Sequence, residues 1–188
     1  MFTFVSTRFN NDTWNENREN RRSRNIPCIY GTAQEMSPKI DYNATVFVIE
    51  MNNSLNCIEG IGLIKNLPDV HKKYNIYADA NYNRYIYKSN YHIDRDSLIK
   101  YNDNLVTVLE QILFKGKTHL KRGTGFTTIP EKLMNHKICE QLGINIKQDI
   151  KNIFIQQFRK EINEEMNKEI NEINEINEKM NKEIDTLI

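Results

Sequence analysis

The chain has 188 residues, of which 39% are hydrophobic and 27% are charged, and its formal net charge is +1. This composition is typical of a globular protein rather than a disordered one, and the length suffices for one domain plus an appendage. No apolar segment approaches the ~20 residues that cross a bilayer, and the N-terminus lacks a signal-peptide pattern. The three cysteines, Cys28, Cys57 and Cys139, are an odd number without a CxxC pair. This pattern disfavours a thiolate zinc site and fits a reducing compartment, so we expect an intracellular protein outside membranes.

The N-terminal part predicts two short extended segments around a polar connection. Phe2–Val5 is typical of a strand, and Ile26–Tyr30 is extended because Pro27 disfavours a helical residue before it. The intervening residues 10–25 are too polar for a core element, so we interpret them as a loop or a short exposed helix. Four arginines make this segment basic. Trp14 is its only large apolar side chain, and it is suited either to plug an edge of the core or to stack on a ligand.

The most apolar stretch, Thr45–Ile64, predicts a β-hairpin at the centre of the fold. Val46–Ile49 form a continuous β-branched and aromatic run, as expected of a strand that is buried on both faces. Residues 52–54 supply the turn, since Asn tolerates positive φ and Ser bonds its own backbone. Gly60 and Gly62 interrupt the return strand, which indicates a bulge or a close backbone approach.

The middle of the chain predicts a second hairpin and two helices. The hairpin covers Lys73–Ile93, a segment that holds six tyrosines. From residue 97 to 114, apolar residues at helical spacing form a broad stripe, with Asp96 or Ser97 as the N-cap. A second helix is predicted at 130–142, where a capping box with Pro in the first turn precedes an apolar face.

The last segment, residues 146–188, predicts a long helix with one apolar seam. Its apolar side chains recur every three or four residues, and no Gly or Pro occurs from Lys147 onward. An isolated helix cannot bury such a seam, so it needs a partner, either the same helix of another copy or another protein. A frayed, solvated helix of low complexity is the alternative. We therefore divide the chain into a domain at 1–145 and this helix at 146–188.

Motifs for catalysis and metal binding are scarce in this sequence. It contains no GxSxG, P-loop or HExxH motif. His92, Asp94 and Asp96 would share one face of a strand and form a conceivable divalent-metal cluster. Asp96 is equally suited to cap the following helix, and Arg95 to pair with the carboxylates. We expect neither a catalytic site nor a cofactor, and the metal site stays open.

A basic cluster precedes a Gly-rich turn. If the chain is extended there, Lys117, His119 and Lys121 line one face of a strand, and Arg122 leads into Gly123–Gly125. Cations beside a Gly-rich turn suit a phosphate group, through their charge and through free backbone N–H groups. Together with tyrosine rings that stack on bases, this pattern favours nucleic-acid recognition. The alternative is an exposed edge strand whose lysines prevent edge-to-edge pairing.

Three motifs, VFVIEMNNSLNCIEGIGLIKN, NYNRYIYK and LFKGKTHLKRGTGF, resemble an uncharacterised protein family that giant DNA viruses encode. The likeness covers residues 26–130 and leaves out the C-terminal helix. It implies a viral protein located in the host cytoplasm or nucleus or in the virion. It implies no activity.

A second resemblance is to the PUA-like superfamily, including its EVE and YTH domains, which are small β-barrels that read modified bases. It rests on the strand VFVIEMN followed by the glycine-bearing Glu59–Gly62, and on Ile29–Gly31. Such domains carry an aromatic residue and a Gly near the ligand pocket, which implies pocket positions for Tyr30 and Gly31. Since Trp14 is the only tryptophan, an aromatic cage in this chain would have to use tyrosines.

We predict an α+β domain with a mixed or antiparallel, barrel-like sheet, flanking helices and a long C-terminal helix. The leading hypothesis is a non-enzymatic module that binds RNA or DNA, with modified bases among its candidate ligands, and that self-associates or binds a partner helix through residues 150–188. The alternative is a viral structural or protein-interaction scaffold without a nucleic-acid role. The candidate base-stacking, pocket and phosphate-binding residues are Trp14, Tyr30, Gly31, Lys117, His119, Lys121 and Arg122.

Overall fold

The structure, a computed structural model, describes residues 2–159. Its elements in chain order are β1 (Thr3–Phe9), α1 (Asn11–Arg24), β2 (Cys28–Thr32), β3 (Thr45–Asn52), β4 (Cys57–Lys65), a 3₁₀ turn (Ala80–Asn83), β5 (Tyr85–Ser89), β6 (Tyr91–Asp94), α2 (Arg95–Phe114), β7 (Thr127–Thr128), α3 (Glu131–Met134) and α4 (Lys137–Gln141). A further helix, α5, covers residues 146–159. The described residues fall into two units, one ending at residue 150 and the other beginning at 151.

The strands form a five-stranded mixed sheet in the order β6-β4-β3-β1-β7 and a separate two-stranded sheet of β2 and β5. β1 runs parallel to β3, while the other pairs are antiparallel. The predicted α+β class and mixed sheet are therefore confirmed. A closed barrel is not formed by the strands described, because β6 and β7 remain at the two edges of the larger sheet.

The predicted central hairpin is confirmed as β3 and β4. Its register shifts where Glu50 pairs with Gly60 while Met51 pairs with Ile58, so that Glu59 is the extra residue of a β-bulge. Seven of the eight residues of β3 are buried, since the strand has neighbours on both sides and layers on both faces.

The polar segment after β1 is a helix of 14 residues, α1, and not a loop. Asn10 caps it: its side-chain oxygen accepts from the backbone N–H of Thr13 at 2.8 Å, and the Thr13 hydroxyl accepts from the backbone N–H of Asn10 at 3.0 Å. The buried face of α1 is mostly polar, which conceals its periodicity in the sequence. That face consists of Trp14, Asn17, Asn20 and Arg21.

The tyrosine-rich segment does not form the predicted second hairpin. β5 pairs with β2 and β6 pairs with β4, so neighbouring strands of the chain belong to different sheets. Before them, the chain is irregular apart from the 3₁₀ turn Ala80–Asn83.

The helix predicted at 97–114 is confirmed as α2, although the side chain of Asp94 caps it, not Asp96 or Ser97, by accepting from the Ser97 N–H at 2.8 Å. Asn102 has non-helical dihedral angles and kinks the helix. The helix predicted at 130–142 is two short helices, α3 and α4.

The basic segment after α2 was predicted as a strand, and the structure contradicts this. Residues 115–126 are irregular, and the chain pairs with the sheet only after them, at the two residues of β7. The predicted C-terminal helix is described at residues 146–159, and the remainder of that prediction lies outside the described residues. Among the helices described, none combines the length and the apolar character that a membrane span requires.

Candidate functional site

A buried polar network centred on Glu50 lies between α1 and the two sheets. The Glu50 side chain is fully buried in β3. Its Oε1 accepts from Arg21 Nη2 and from the Tyr30 hydroxyl, each at 2.6 Å, and its Oε2 lies 3.0 Å from His92 Nε2. His92 Nε2 also lies 2.8 Å from Arg21 Nη1. Glu50 is thus held by three side chains that come from α1, β2 and β6.

The two glycines of β4 make room for this network. A Cβ atom at Gly62 would lie 2.2 Å from the Tyr30 hydroxyl oxygen and 2.6 Å from Cys28 Sγ. At Gly60 it would lie 2.8 Å from His92 Nε2 and 2.9 Å from a carboxylate oxygen of Glu50. Real Cβ atoms do not approach other atoms this closely. The predicted close backbone approach is found at Gly60, where the Ile93 carbonyl oxygen would lie 2.8 Å from the Cβ, whereas at Gly62 the approaching atoms belong to side chains.

The charges of the network compensate one another. Burial alone raises the pKa of Glu50, but the Arg21 guanidinium and the His92 ring hold it well below the ordinary carboxyl value. Burial raises the pKa of Tyr30 well above that of a free phenol, and raises that of Cys28 to about 11. Glu50 is therefore an anion, and Tyr30 remains a neutral donor. Arg21 Nε is buried without a hydrogen-bond partner among the described residues, but both carboxylate oxygens of Glu50 are paired. An ion pair at this depth serves chiefly to fix the fold.

Tyr30, one of the predicted base-stacking residues, belongs to the core. Its side chain is 1% exposed, and its ring packs edge-on against Phe126 with centroids 5.8 Å apart. Since its hydroxyl donates to Glu50, neither the ring nor the oxygen is open to a ligand. His92 likewise faces the network, and Asp94 caps α2. No group of His, Cys, Asp or Glu in residues 2–159 is arranged to hold a metal ion.

Two members of the network, Arg21 and His92, line a shallow cleft, here called the Arg21 cleft, with a volume of about 420 Å³. Trp14 lines it, although the ring is only 8% exposed and packs against Phe9 and the Arg21 guanidinium. The cationic side chains of α1 face two carboxylates across it. The lining includes Arg18, Arg21, Arg22, Glu59, His92 and Asp94. Because both signs of charge are present, this cleft has no clear preference for an anion.

A second cleft, here called the Arg8 cleft, has a volume of about 240 Å³. It lies where the parallel strands β1 and β3 end, and the end of β2 also borders it. Open sheets commonly bind ligands at the carboxyl ends of their parallel strands. Its lining includes Arg8, Asn10, Gly31, Tyr77, Tyr82 and Gly123–Gly125.

Arg8 supplies the positive charge of this cleft. Its Nη2 donates to the Gly125 carbonyl at 2.7 Å and to the Thr127 hydroxyl at 2.8 Å, while Nη1 donates to the Leu120 carbonyl at 3.2 Å. Its Nε is buried and has no hydrogen-bond partner among the described residues. No carboxylate of the described chain pairs with it. Partial burial accordingly lowers the pKa of Arg8, and an anion in the cleft would compensate the charge.

Two tyrosines form an aromatic wall in the Arg8 cleft. Tyr82 is 37% exposed, and its ring meets that of Tyr77 edge-on at 6.2 Å. Tyr77 is buried, which raises its pKa to about 12, and its hydroxyl accepts from Asn17 Nδ2 at 3.0 Å. Gly31 makes this wall possible because a Cβ there would lie 2.3 Å from the Tyr82 carbonyl oxygen.

The predicted phosphate-binding residues lie on the irregular loop 115–126, so the alternating face expected of a strand does not exist. Lys117 and Arg122 are exposed. Lys121 Nζ donates to Asn56 Oδ1 at 2.7 Å, and the His119 ring accepts from the backbone N–H of Lys121 at 3.3 Å. Arg122 directly precedes Gly123–Gly125 in the wall of the Arg8 cleft.

Of the predicted site residues, Gly31 alone is among those that line the Arg8 cleft. The basic loop reaches the cleft through Gly123–Gly125, and the lining includes neither Trp14 and Tyr30 nor the four predicted phosphate-binding residues. Sequence reasoning missed Arg8 because the predicted first strand ended at Val5. It also did not single out Tyr77 or Tyr82 among the six tyrosines. The Gly-rich turn after Arg122 was the one local signal that pointed to this cleft.

Comparison of the chain with models of known protein families, with curated proteins and with solved structures finds no match.

Proposed function

We propose that the protein binds single-stranded nucleic acid and holds one nucleotide in the Arg8 cleft. The observation that carries this proposal is the combination, in one cleft, of an arginine without a carboxylate partner and a partly exposed tyrosine ring. The arginine attracts a phosphate, and the ring offers a face on which any base can stack.

The size and lining of the cleft support a single nucleotide. Clefts for drug-sized molecules measure about 300–1,000 Å³, and this one has about 240 Å³. Asn10, Thr13 and Asn53 add polar side chains at its border, which suit the edge of a base. Gly123 and Gly125 adopt positive φ, and backbone N–H groups in such turns form concave sites for anions.

The basic loop is evidence that the bound nucleic acid continues past the cleft. Lys117 and Arg122 are exposed on the same loop whose glycines line the cleft. We therefore assign phosphate contacts to Lys117 and Arg122 and stacking to Tyr82, while Arg8, whose Nη groups donate to the chain, contributes its positive charge. Recognition of a modified base remains a finer proposal, in which Tyr77 and Tyr82 would supply the aromatic cage. Relation to viral or PUA-like proteins and oligomerisation through the C-terminal helix remain predictions.

The test is binding of the full chain to labelled single- and double-stranded RNA and DNA at two salt concentrations. The proposal predicts preference for single strands and an affinity that falls with salt, by a slope of about 0.7 per phosphate contact. Docking of a partner protein through an apolar helix seam would not produce this dependence. Absence of binding at low salt would refute the proposal and favour the scaffold alternative.

Replacement of one tyrosine tests the location. Tyr82→Ala should weaken single-strand binding by about 1–3 kcal/mol, the contribution of one stacked base. The matched control is Tyr42→Ala, which removes an even more exposed tyrosine, at 75% exposure, that does not line the Arg8 cleft. Equal effects of the two substitutions would locate the nucleotide elsewhere.

A further inference from the structure

Three cationic side chains surround the ring of Tyr74. Lys88 Nζ lies 5.2 Å from the ring centre, Arg24 Cζ 5.3 Å and Lys72 Nζ 5.4 Å. Tyr74 itself is 2% exposed, whereas all three cations are on the surface. Lys88 lies at the hydroxyl end of the ring, since its Nζ is 2.7 Å from the Tyr74 hydroxyl oxygen. The cationic groups are therefore exposed to solvent, whereas the ring is not. We call this group of cations the Tyr74 cluster.

One carboxylate balances these three charges. Asp69 Oδ2 lies 2.8 Å from Lys88 Nζ and 3.3 Å from the Tyr74 hydroxyl, which also accepts from Lys88 at 2.7 Å. The hydrogen bond with Lys88 lowers the pKa of Asp69, and the same bond raises that of Lys88. Neither Arg24 nor Lys72 has an ion pair within the described part of the chain. The ring holds both cations within 5.4 Å of its centre, and their two uncompensated charges favour a multivalent anion.

The Tyr74 cluster and the Arg8 cleft are fixed to the same helix. Tyr74 precedes Tyr77, a wall of the cleft, by three residues, a span of at most about 11 Å in an extended chain. Asn20 Nδ2 donates to the Asn75 carbonyl at 3.2 Å, which ties this segment to α1. Arg24 is the last residue of α1, while Asn10 caps its first turn at the cleft.

We propose that the Tyr74 cluster binds the phosphates of the same strand whose nucleotide occupies the Arg8 cleft, an inference that rests on the function proposed above. The bound nucleic-acid strand then runs along α1, from the Arg8 cleft toward the C-terminal end of the helix. Arg24 forms paired hydrogen bonds to phosphate oxygens, and Lys72 and Lys88 contribute charge. This assigns phosphate contacts to a surface separate from loop 115–126.

The test uses the full chain and a fluorescein-labelled single-stranded oligonucleotide, with affinity measured across a salt series. The variant Arg24→Gln/Lys72→Gln removes two cations and leaves Lys88, whose bonds to Asp69 and Tyr74 support the fold. The matched control is Lys132→Gln/Lys137→Gln, which removes two exposed lysines from α3 and α4. The slope of log affinity against log salt should fall by about 1.4 in the first variant, or 0.7 for each lost phosphate contact. It should not change in the control.

The other outcomes separate this inference from the proposed function. An unchanged slope in Arg24→Gln/Lys72→Gln, with binding still lost in Tyr82→Ala, overturns the Tyr74 cluster and leaves the cleft intact. An equal fall in the lysine control also overturns it, because the effect is then net charge alone. Binding of polyglutamate to wild type but not to the variant, with the same salt slope of oligonucleotide binding in both, assigns the cluster to acidic proteins instead. A wild-type chain that binds no oligonucleotide at low salt refutes the proposed function itself.

Discussion

Glu50 carries a negative charge inside the sheet, and Arg21 is the cation that compensates it. The pair is joined at 2.6 Å, with the Arg21 side chain 9% exposed and that of Glu50 fully buried. A buried pair of this kind adds little net stability over apolar residues, but removal of one partner leaves an uncompensated charge in the core. The fold therefore requires both Glu50 and Arg21, whether or not either residue contacts a ligand.

Glu50→Gln should lower the free energy of unfolding by about 3–5 kcal/mol, because Arg21 would then be a buried cation without a counter-ion. Urea denaturation measures this change. The control is Glu19→Gln, which breaks the exposed ion pair with Arg22 on the surface of α1 and should cost no more than about 1 kcal/mol. A loss for Glu50→Gln as small as that of the control would contradict the role of the network.

The same carboxylate predicts how stability depends on pH. Its folded-state pKa lies below the ordinary glutamate value of about 4.3, so the unfolded chain binds the proton more tightly. The contribution of Glu50 is complete above that pH and is lost as the pH falls further. Unfolding free energies measured from neutral to acidic pH should therefore fall more steeply for wild type than for Glu50→Gln. Parallel curves would contradict the depressed pKa.

For single residues, the sequence indicated which positions are constrained but not which residues contact them. The glycines at 60 and 62 indicated a bulge or a close backbone approach. The atoms that approach belong to Tyr30, Cys28, Glu50 and His92, which are distant in sequence. Local patterns carry no information about such long-range contacts. For the same reason Tyr30 was interpreted as a ligand-facing ring and not as a buried donor.

Among the secondary-structure elements, α1 is a helix that apolar periodicity does not predict. Three of its four buried residues are polar, and each uses hydrogen bonds in place of apolar contacts. Asn17 Nδ2, for example, donates to the Ile29 carbonyl at 2.9 Å. The capping box of Asn10 and Thr13 was the available sequence signal, since Asn at the N-cap marks a helix start.

Asn10→Ala should lower the free energy of unfolding by about 1 kcal/mol, because the first-turn N–H of Thr13 loses its acceptor. Thermal unfolding followed by circular dichroism measures the effect. Asn15→Ala, on the exposed face of the same helix, is the matched control and should leave stability equal or slightly higher. A cap substitution without effect would mean that tertiary contacts alone hold the start of α1.

The loop 115–126 is the opposite case, since a strand was predicted and an irregular segment is found. The alternation of Lys117, His119 and Lys121 matches a strand, but the loop's carbonyls bond to side chains and not to a neighbouring strand. Arg8 Nη1 donates to the Leu120 carbonyl, and Asn53 Nδ2 donates to the Lys121 carbonyl. These side chains take the place of a ladder, and neither is visible as a partner in the sequence.

For the whole molecule, composition and patterning were sufficient for the α+β class and the central hairpin. They were insufficient for the parallel pairing of β1 with β3 or for the division of β5 and β6 between two sheets. Both features are long-range pairings, and they are what bring β1, β2, the 3₁₀ turn and loop 115–126 to one cleft. The sequence therefore predicted the residue types of the candidate site, which are cations, glycines and tyrosines. It did not predict which residues line the cleft.

The most direct test of the Arg8 cleft is photo-crosslinking of the full chain to a single-stranded RNA that carries thiouridine, with the modified residues mapped by mass spectrometry. The account predicts crosslinks in the cleft, at Tyr82 or within Gly123–Gly125, that Tyr82→Ala reduces and Tyr42→Ala does not. Crosslinks confined to the Arg21 cleft or to residues beyond 145, under conditions of saturated binding, would contradict it.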